Sequence, residues 1–234
     1  MSASKVLGIM QPYFFPFFEQ FRLLAACDEW VIFDTPQYSR KSWINRNRVL
    51  NREKGTAYVS VPVKHAGHNV SIKDAVIDSA QDWQSDVLNR LKVYKKRAPH
   101  YDWVTGWVSD IVHGPHTTLG GLNAEIVRNA ARTLDIQTPI ALASELSIAL
   151  PAEAEPDEWA LHISKGLQAT EYRNAAGGKS FFDASKYVAA GITLSFHEHV
   201  PRTYRTGDLE FVPDLSIIDL LMWNDLATLK EWLK

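Results

Sequence analysis

Between Gln37 and Asn51 the chain reads QYSRKSWINRNRVLN, which sets Arg40, Lys41, Arg46 and Arg48 around Trp43, Asn45 and Asn47. Guanidinium forks match the oxygens of phosphate and carboxylate two at a time. Amide side chains such as Asn45 and Asn47 read hydroxyls and amides, and an indole stacks on a sugar or a base. Arg46 and Arg48 are two apart, so they share a face on a strand and lie about 200° apart on a helix. The chemistry on offer is the grip of a phosphorylated small molecule. The competing reading is a solvated turn held by structural ion pairs, with Trp43 in the core.

Other residues could join such a site. Asp34 ends the apolar run WVIFD; a partly desolvated carboxylate there can act as a base, or can pair structurally with Arg40 or Arg46. Gln37 follows the same run. Gln11 and Tyr13, in MQPYFFP, either orient a substrate or hold a proline-rich turn. Ser144 follows the run TPIAL. Gly177, Gly178 and Lys179, in AAGGKS, allow backbone amides to approach a phosphate beside a cation, although the spacing is not that of a P-loop and a tight turn explains it as well. Ser216 and Asp219, in DLSIIDLL, fit a helix N-cap and its first turn, and are kept as binding candidates.

The histidines come at short spacings: HAGH (His65, His68), HGPH (His113, His116) and HEH (His197, His199). None has the i, i+4 helical pattern of a zinc protease, and the chain holds one cysteine, so no metal site is expected. Cys27 sits beside Ala25 and Ala26 and reads as a small buried hydrophobe. Neither a G-x-S-x-G elbow nor a G-x-G-x-x-G loop after the first strand occurs. Nothing in the sequence names a cofactor.

These residues need elements to position them. KVLGIM, WVIFD, TAYVSVPV, TPIALAS, ATEYRNA and GITLSFHEH read as strands. Apolar spacing predicts helices over 16–27, across most of 82–134, in PDEWALHISKGLQA (capped at Pro156 or Asp157), and in LSIIDLLMWND and ATLKEWLK. The order predicts one α/β domain over residues 1–234: a mainly parallel, Rossmann-like sheet with an inserted helical region over about 82–134, apart from the strands. SIALPAEAEPDE is a long acidic loop or linker. Ligands of open α/β sheets sit beyond the carboxyl ends of the strands, so Gln11, Asp34, Arg46 and Ser144 are expected to line one cleft.

The 234 residues, 46% hydrophobic, suffice for a sizeable core. A net charge of −2 supplies no general field for nucleic acid or an anionic membrane, so an anion site must be local. Pro12 and Pro16 break the N-terminal apolar run, which reads as no signal peptide, and no run reaches the roughly 20 apolar residues of a spanning helix. The expectation is a cytoplasmic protein without membrane insertion.

IMQPYFFPFFEQF, VIFDTPQYSRKSWINRNRVL, VSVPV and FVPDLSIIDLLMWN resemble the signature blocks of the WbqC-like family, from Gly8 to about Asn224. The resemblance implies bacterial surface-polysaccharide (O-antigen) biosynthesis, beside enzymes that make modified amino sugars. It implies a pathway more than a reaction. Taken with the residues, it leads to an enzyme that transfers an acyl or aminoacyl group, from a donor the sequence does not name, to the amine of a nucleotide sugar. Arginines would hold the diphosphate, and Asp34 would take the amine's proton. A non-catalytic binder of a sugar nucleotide, glycan precursor or RNA is the alternative. A glycosyltransferase is a third, disfavoured in its metal-dependent form by the lack of a D-x-D motif.

Overall fold

The computed structural model describes residues 4–53, 55–64, 69–151 and 153–234, and the HAGH stretch (His65, His68) lies outside them. In chain order the elements are β1 (Val6–Met10), α1 (Phe18–Ala25), β2 (Glu29–Ile32), β3 (Arg46–Asn51), β4 (Gly55–Ser60), α2 (Trp83–Arg90), α3 (Tyr101–Val112), α4 (Leu119–Thr133), β5 (Ile140–Leu142), α5 (Trp159–Gly166), β6 (Glu171–Ala175), α6 (Ala184–Ala189), β7 (Thr193–His197), α7 (Ile217–Trp223) and α8 (Leu226–Trp232). They gather into two compact units. Residues 1–10, 19–33 and 136–200 make the first; residues 11–18, 34–135 and 201–234 make the second.

The first unit is the Rossmann-like part. Its five strands run β5-β2-β1-β6-β7, and every pairing is parallel. The central strand β1 is buried at the consecutive residues Leu7, Gly8 and Ile9, hence on both faces, which explains its unbroken apolar run rather than an alternating one. Gly8 lets the sheet close there: a Cβ would lie 2.4 Å from the Trp30 ring and 2.9 Å from Cys27 Sγ. Leu7, Ile9 and Val31 pack with Leu161, Ile163, Tyr172 and Tyr187 as the core. Counted within the sheet the order is 3-2-1-4-5, and the chain turns back beside β1 to lay down β6. In such sheets that switch point marks the ligand crevice. Arg22 and Glu19 form a buried ion pair, 2.8 Å apart, on α1.

The second unit holds the helical stretch over 82–134 together with an antiparallel hairpin, β3–β4, in which Arg46 pairs with Ser60 and Arg48 with Tyr58. Here the structure departs from two expectations. TAYVSV is a strand, but it pairs with β3 and not with the parallel sheet. A parallel return needs a crossover of a dozen or more residues, whereas Asn51 and Gly55 are nearly adjacent and only an antiparallel turn can join them. Gly55 closes that turn with φ +71°, in the left-handed region. The 82–134 helices, moreover, are not free of strands: α2 packs on β4.

Smaller differences concern helix ends. α1 starts at Phe18, so Pro16 lies before it, and α5 starts after Glu158, with no side-chain cap. Residues 184–189 form a further short helix. Among the described residues no helix is long and apolar enough to cross a membrane.

Candidate functional site

Asn47 builds the base of the site. It points to the buried side of β3, where its amide nitrogen donates to the carbonyls of Phe14 (3.1 Å) and Phe15 (2.8 Å). Phe15 carries φ +42°, unusual for a bulky residue, and its carbonyl also accepts from Ser216 Oγ at 2.8 Å. Ser216 in turn caps α7 by accepting from Ile218 N–H, and its own N–H donates to Arg48 O. The FFP turn, β3 and α7 are thereby tied at one knot.

A second knot lies nearby. Tyr94 OH accepts from Leu50 N–H at 2.8 Å and donates to Asp219 Oδ1 at 2.5 Å, while Tyr204 OH donates to the other carboxylate oxygen. Burial raises the Asp219 carboxyl to about 6 against the pull of those two phenols. Burial and the Asp219 charge raise both tyrosines above their usual value. Ser216 and Asp219 are fully buried, so their side chains serve the frame of the hairpin.

With Asn47 and Val49 facing inward, strand alternation sends Arg46 and Arg48 to the opposite side. Arg46 lies over the Tyr58 ring, 4.1 Å from its centroid, and Arg48 over the Trp43 ring at 5.6 Å. Both rings face solvent: Tyr58 is 45% exposed and Trp43 42%. Arg48 also reaches Asp214 O at the limit of a hydrogen bond, 3.5 Å, while its buried Nε has no partner. Among the described residues neither guanidinium is ion-paired with a carboxylate. Among the described residues the structural ion pairs that would make this block a mere turn are not there, and Trp43 is not core.

The remaining candidates divide between the units. Gln11 and Tyr13 are half-buried in the second unit, and burial raises the Tyr13 hydroxyl. Asp34 is 2% exposed, and its carbonyl accepts from Lys73 N–H. Gln37 is exposed and bridges to Ser71. Asn45 donates to Val61 O. Ser144, exposed in a 3-10 turn after β5, and Gly177, Gly178 and Lys179, in and after a 3-10 turn following β6, belong to the first unit. Gly178 is needed for closeness, since a Cβ would meet Asn174 Oδ1 at 2.9 Å; Gly177 has open space around it. His197 closes β7, and burial lowers its pKa. Among the described residues no three His, Cys, Asp or Glu side chains gather as a metal-holding group.

Sequence reasoning passed over Tyr58, Tyr94 and Tyr204. For Tyr58 a signal existed: in TAYVSV, Tyr58 and Ser60 alternate with Val59, which puts them on one polar face.

Two comparisons bear on the chain. The profile of the WbqC-like protein family matches residues 11–231. An uncharacterized protein of Mycobacterium tuberculosis (strain ATCC 25618 / H37Rv) is 27% identical over 220 residues, covering 93% of each chain. No solved structure gives a significant match.

Proposed function

The chain belongs to the WbqC-like protein family, and from that premise we propose that it acts in bacterial surface-polysaccharide (O-antigen) biosynthesis, binding a nucleotide-activated amino sugar in the cytoplasm. Arg46 and Arg48 grip the diphosphate with bidentate forks, and Trp43 and Tyr58 offer flat faces to the base or sugar. The observation that carries this reading is the pair of guanidiniums on one face of β3. Each lies over an exposed aromatic ring, and neither is neutralised by a carboxylate of the described residues. A cation pair kept free of carboxylate partners among the described residues fits an external anion far better than a structural turn.

The reaction we assign is transfer of an acyl or aminoacyl group to the sugar amine. The amine nitrogen attacks the donor's carbonyl carbon, the bond to the donor's leaving group breaks, and the amine loses a proton. Asp34 receives that proton in this scheme; its near-complete burial suits a base at the wall of a closed site. Gln11, Tyr13, Gln37 and Asn45 orient the sugar. Ser144 and the Gly177–Gly178–Lys179 turn follow strands β5 and β6 of the parallel sheet, where open α/β folds take ligands, and we assign them a ligand-binding role within the first unit. Incubating the protein with nucleotide amino sugars and a panel of acyl and aminoacyl donors tests the scheme. An acyl mass added to the sugar amine is expected, and Asp34→Asn should abolish it.

One observation favours a second reading. Exposed aromatic rings interleaved with arginines also suit a non-catalytic platform for a glycan precursor or single-stranded RNA. Binding without turnover across the donor panel would favour it.

A further inference from the structure

A cavity of about 210 Å³ opens between β4 and α2, lined by Asn45, Tyr58, Ser60, Gln81, Asp86 and Arg90 among others. Resting on the reading that Arg46 and Arg48 hold a diphosphate, we propose that this cavity is the subsite for the sugar ring, and that Asp86 selects a ring bearing an amine.

Size comes first. Pockets that enclose a whole drug-sized ligand run to about 300–1,000 Å³. A cavity of about 210 Å³ suits one ring of a sugar nucleotide and leaves the diphosphate and base outside. Position agrees with that division. Tyr58 both lines the cavity and carries the Arg46 guanidinium at 4.1 Å, and Ser60, which also lines it, is Arg46's cross-strand partner. A phosphate held by Arg46 therefore sits at the cavity's rim, one bond from the ring it activates.

The lining chemistry names the ring. Asn45 uses its amide nitrogen on Val61 O, which leaves Oδ1 as a buried acceptor without a partner. Asp86 and Arg90 stand four apart on α2, the spacing at which such residues pair, yet no ion pair joins them and neither is engaged elsewhere among the described residues. The cavity thus offers two acceptor groups without a protein side-chain partner among the described residues, Asn45 Oδ1 and the Asp86 carboxylate, beside one donor, the Arg90 guanidinium. Hydroxyls satisfy the amide oxygen. An amino group is the donor that gains most from the carboxylate, because that bond is charge-assisted. The Tyr58 ring supplies a flat apolar surface for the C–H face of a pyranose.

Titration of the full chain with UDP, UDP-glucose and UDP-glucosamine tests the inference, with thermal melts as the folding control. Wild type should bind UDP-glucosamine most tightly. Asp86→Asn, at an exposed position, should weaken UDP-glucosamine about five- to tenfold, leave UDP and UDP-glucose unchanged, and so erase the preference for the amine. Ser60→Tyr, which fills the cavity, should weaken both sugar-bearing ligands and spare UDP. Unchanged UDP-glucosamine affinity in both variants overturns the proposal, as does failure of wild type to bind any sugar-bearing probe. The diphosphate reading fails separately: UDP affinity would then be indifferent to Arg46→Lys. In that case methyl glucosaminide replaces the nucleotide, and its binding to wild type but not to Ser60→Tyr keeps the cavity as a sugar site, while equal or absent binding removes it.

Discussion

The Tyr94 hydroxyl donates to Asp219 Oδ1 at 2.5 Å, and its own oxygen accepts the Leu50 amide proton, so one phenol joins α7 to the strand that carries both arginines. Everything on that phenol is buried. Removing the hydroxyl strands an N–H on one side and a carboxylate oxygen on the other.

Tyr94→Phe should therefore destabilise the protein by about 1–3 kcal/mol, the cost of leaving buried polar groups unpaired. That corresponds to a fall in Tm of about 2–12 °C for a chain of this size. Tyr204→Phe, which leaves no backbone amide orphaned, should cost less. Thermal melts of the two variants check the order.

Asp219 gives stability a pH dependence of definite sign. Its native carboxyl is raised to about 6 by burial, while the unfolded chain titrates near 3.9. Between those values the native state holds a proton that the unfolded chain has released. The contribution to stability is therefore full below about pH 4 and is lost as pH rises through about 6, by about 3 kcal/mol in all. Asp219→Asn lacks this titration. The difference in unfolding free energy between wild type and Asp219→Asn should fall across this window, measured by urea unfolding at half-unit pH steps. A flat difference would refute it.

Asn47→Ala should cost about 1–3 kcal/mol, because the buried Phe14 carbonyl loses its Asn47 donor and the Phe15 carbonyl keeps only the Ser216 hydroxyl. Asn45→Ala removes one half-buried bond to Val61 O and should cost about 1 kcal/mol. Urea midpoints of the two variants separate a structural asparagine from one free to serve a ligand.

The sequence reading succeeded where burial writes a local signature. β1, β2, β5 and β6 end where apolar runs meet polar or turn residues, and the parallel sheet follows from their order. It failed where the partner is remote or the pattern is mixed. RNRVLN alternates cation, amide and aliphatic, so it shows neither helix nor strand by itself; its strand state depends on pairing with 55–60. Whether Arg46 and Arg48 share a face could not be decided until that pairing was known. Asp219 reads locally as a first-turn acid of α7, and nothing near it points to Tyr94, 125 positions away. The isolation of the two guanidiniums from carboxylates of the described residues is likewise a tertiary fact, invisible in a segment that looks ready to form ion pairs.

The arginine clamp is the central claim, and calorimetric titration of a UDP-sugar into Arg46→Lys and Arg48→Lys, alongside thermal melts, tests it most directly. Lysine keeps the charge and loses the fork. Each charge-assisted contact is worth about 1.5–3 kcal/mol, so affinity should fall about ten- to a hundredfold in each variant. Loss of the stacking on Tyr58 or Trp43 should cost stability only about 0.5–1 kcal/mol at such exposed positions. Melting temperatures that drop sharply while the folded variants bind as tightly as wild type would contradict the account and make WINRNR a structural turn.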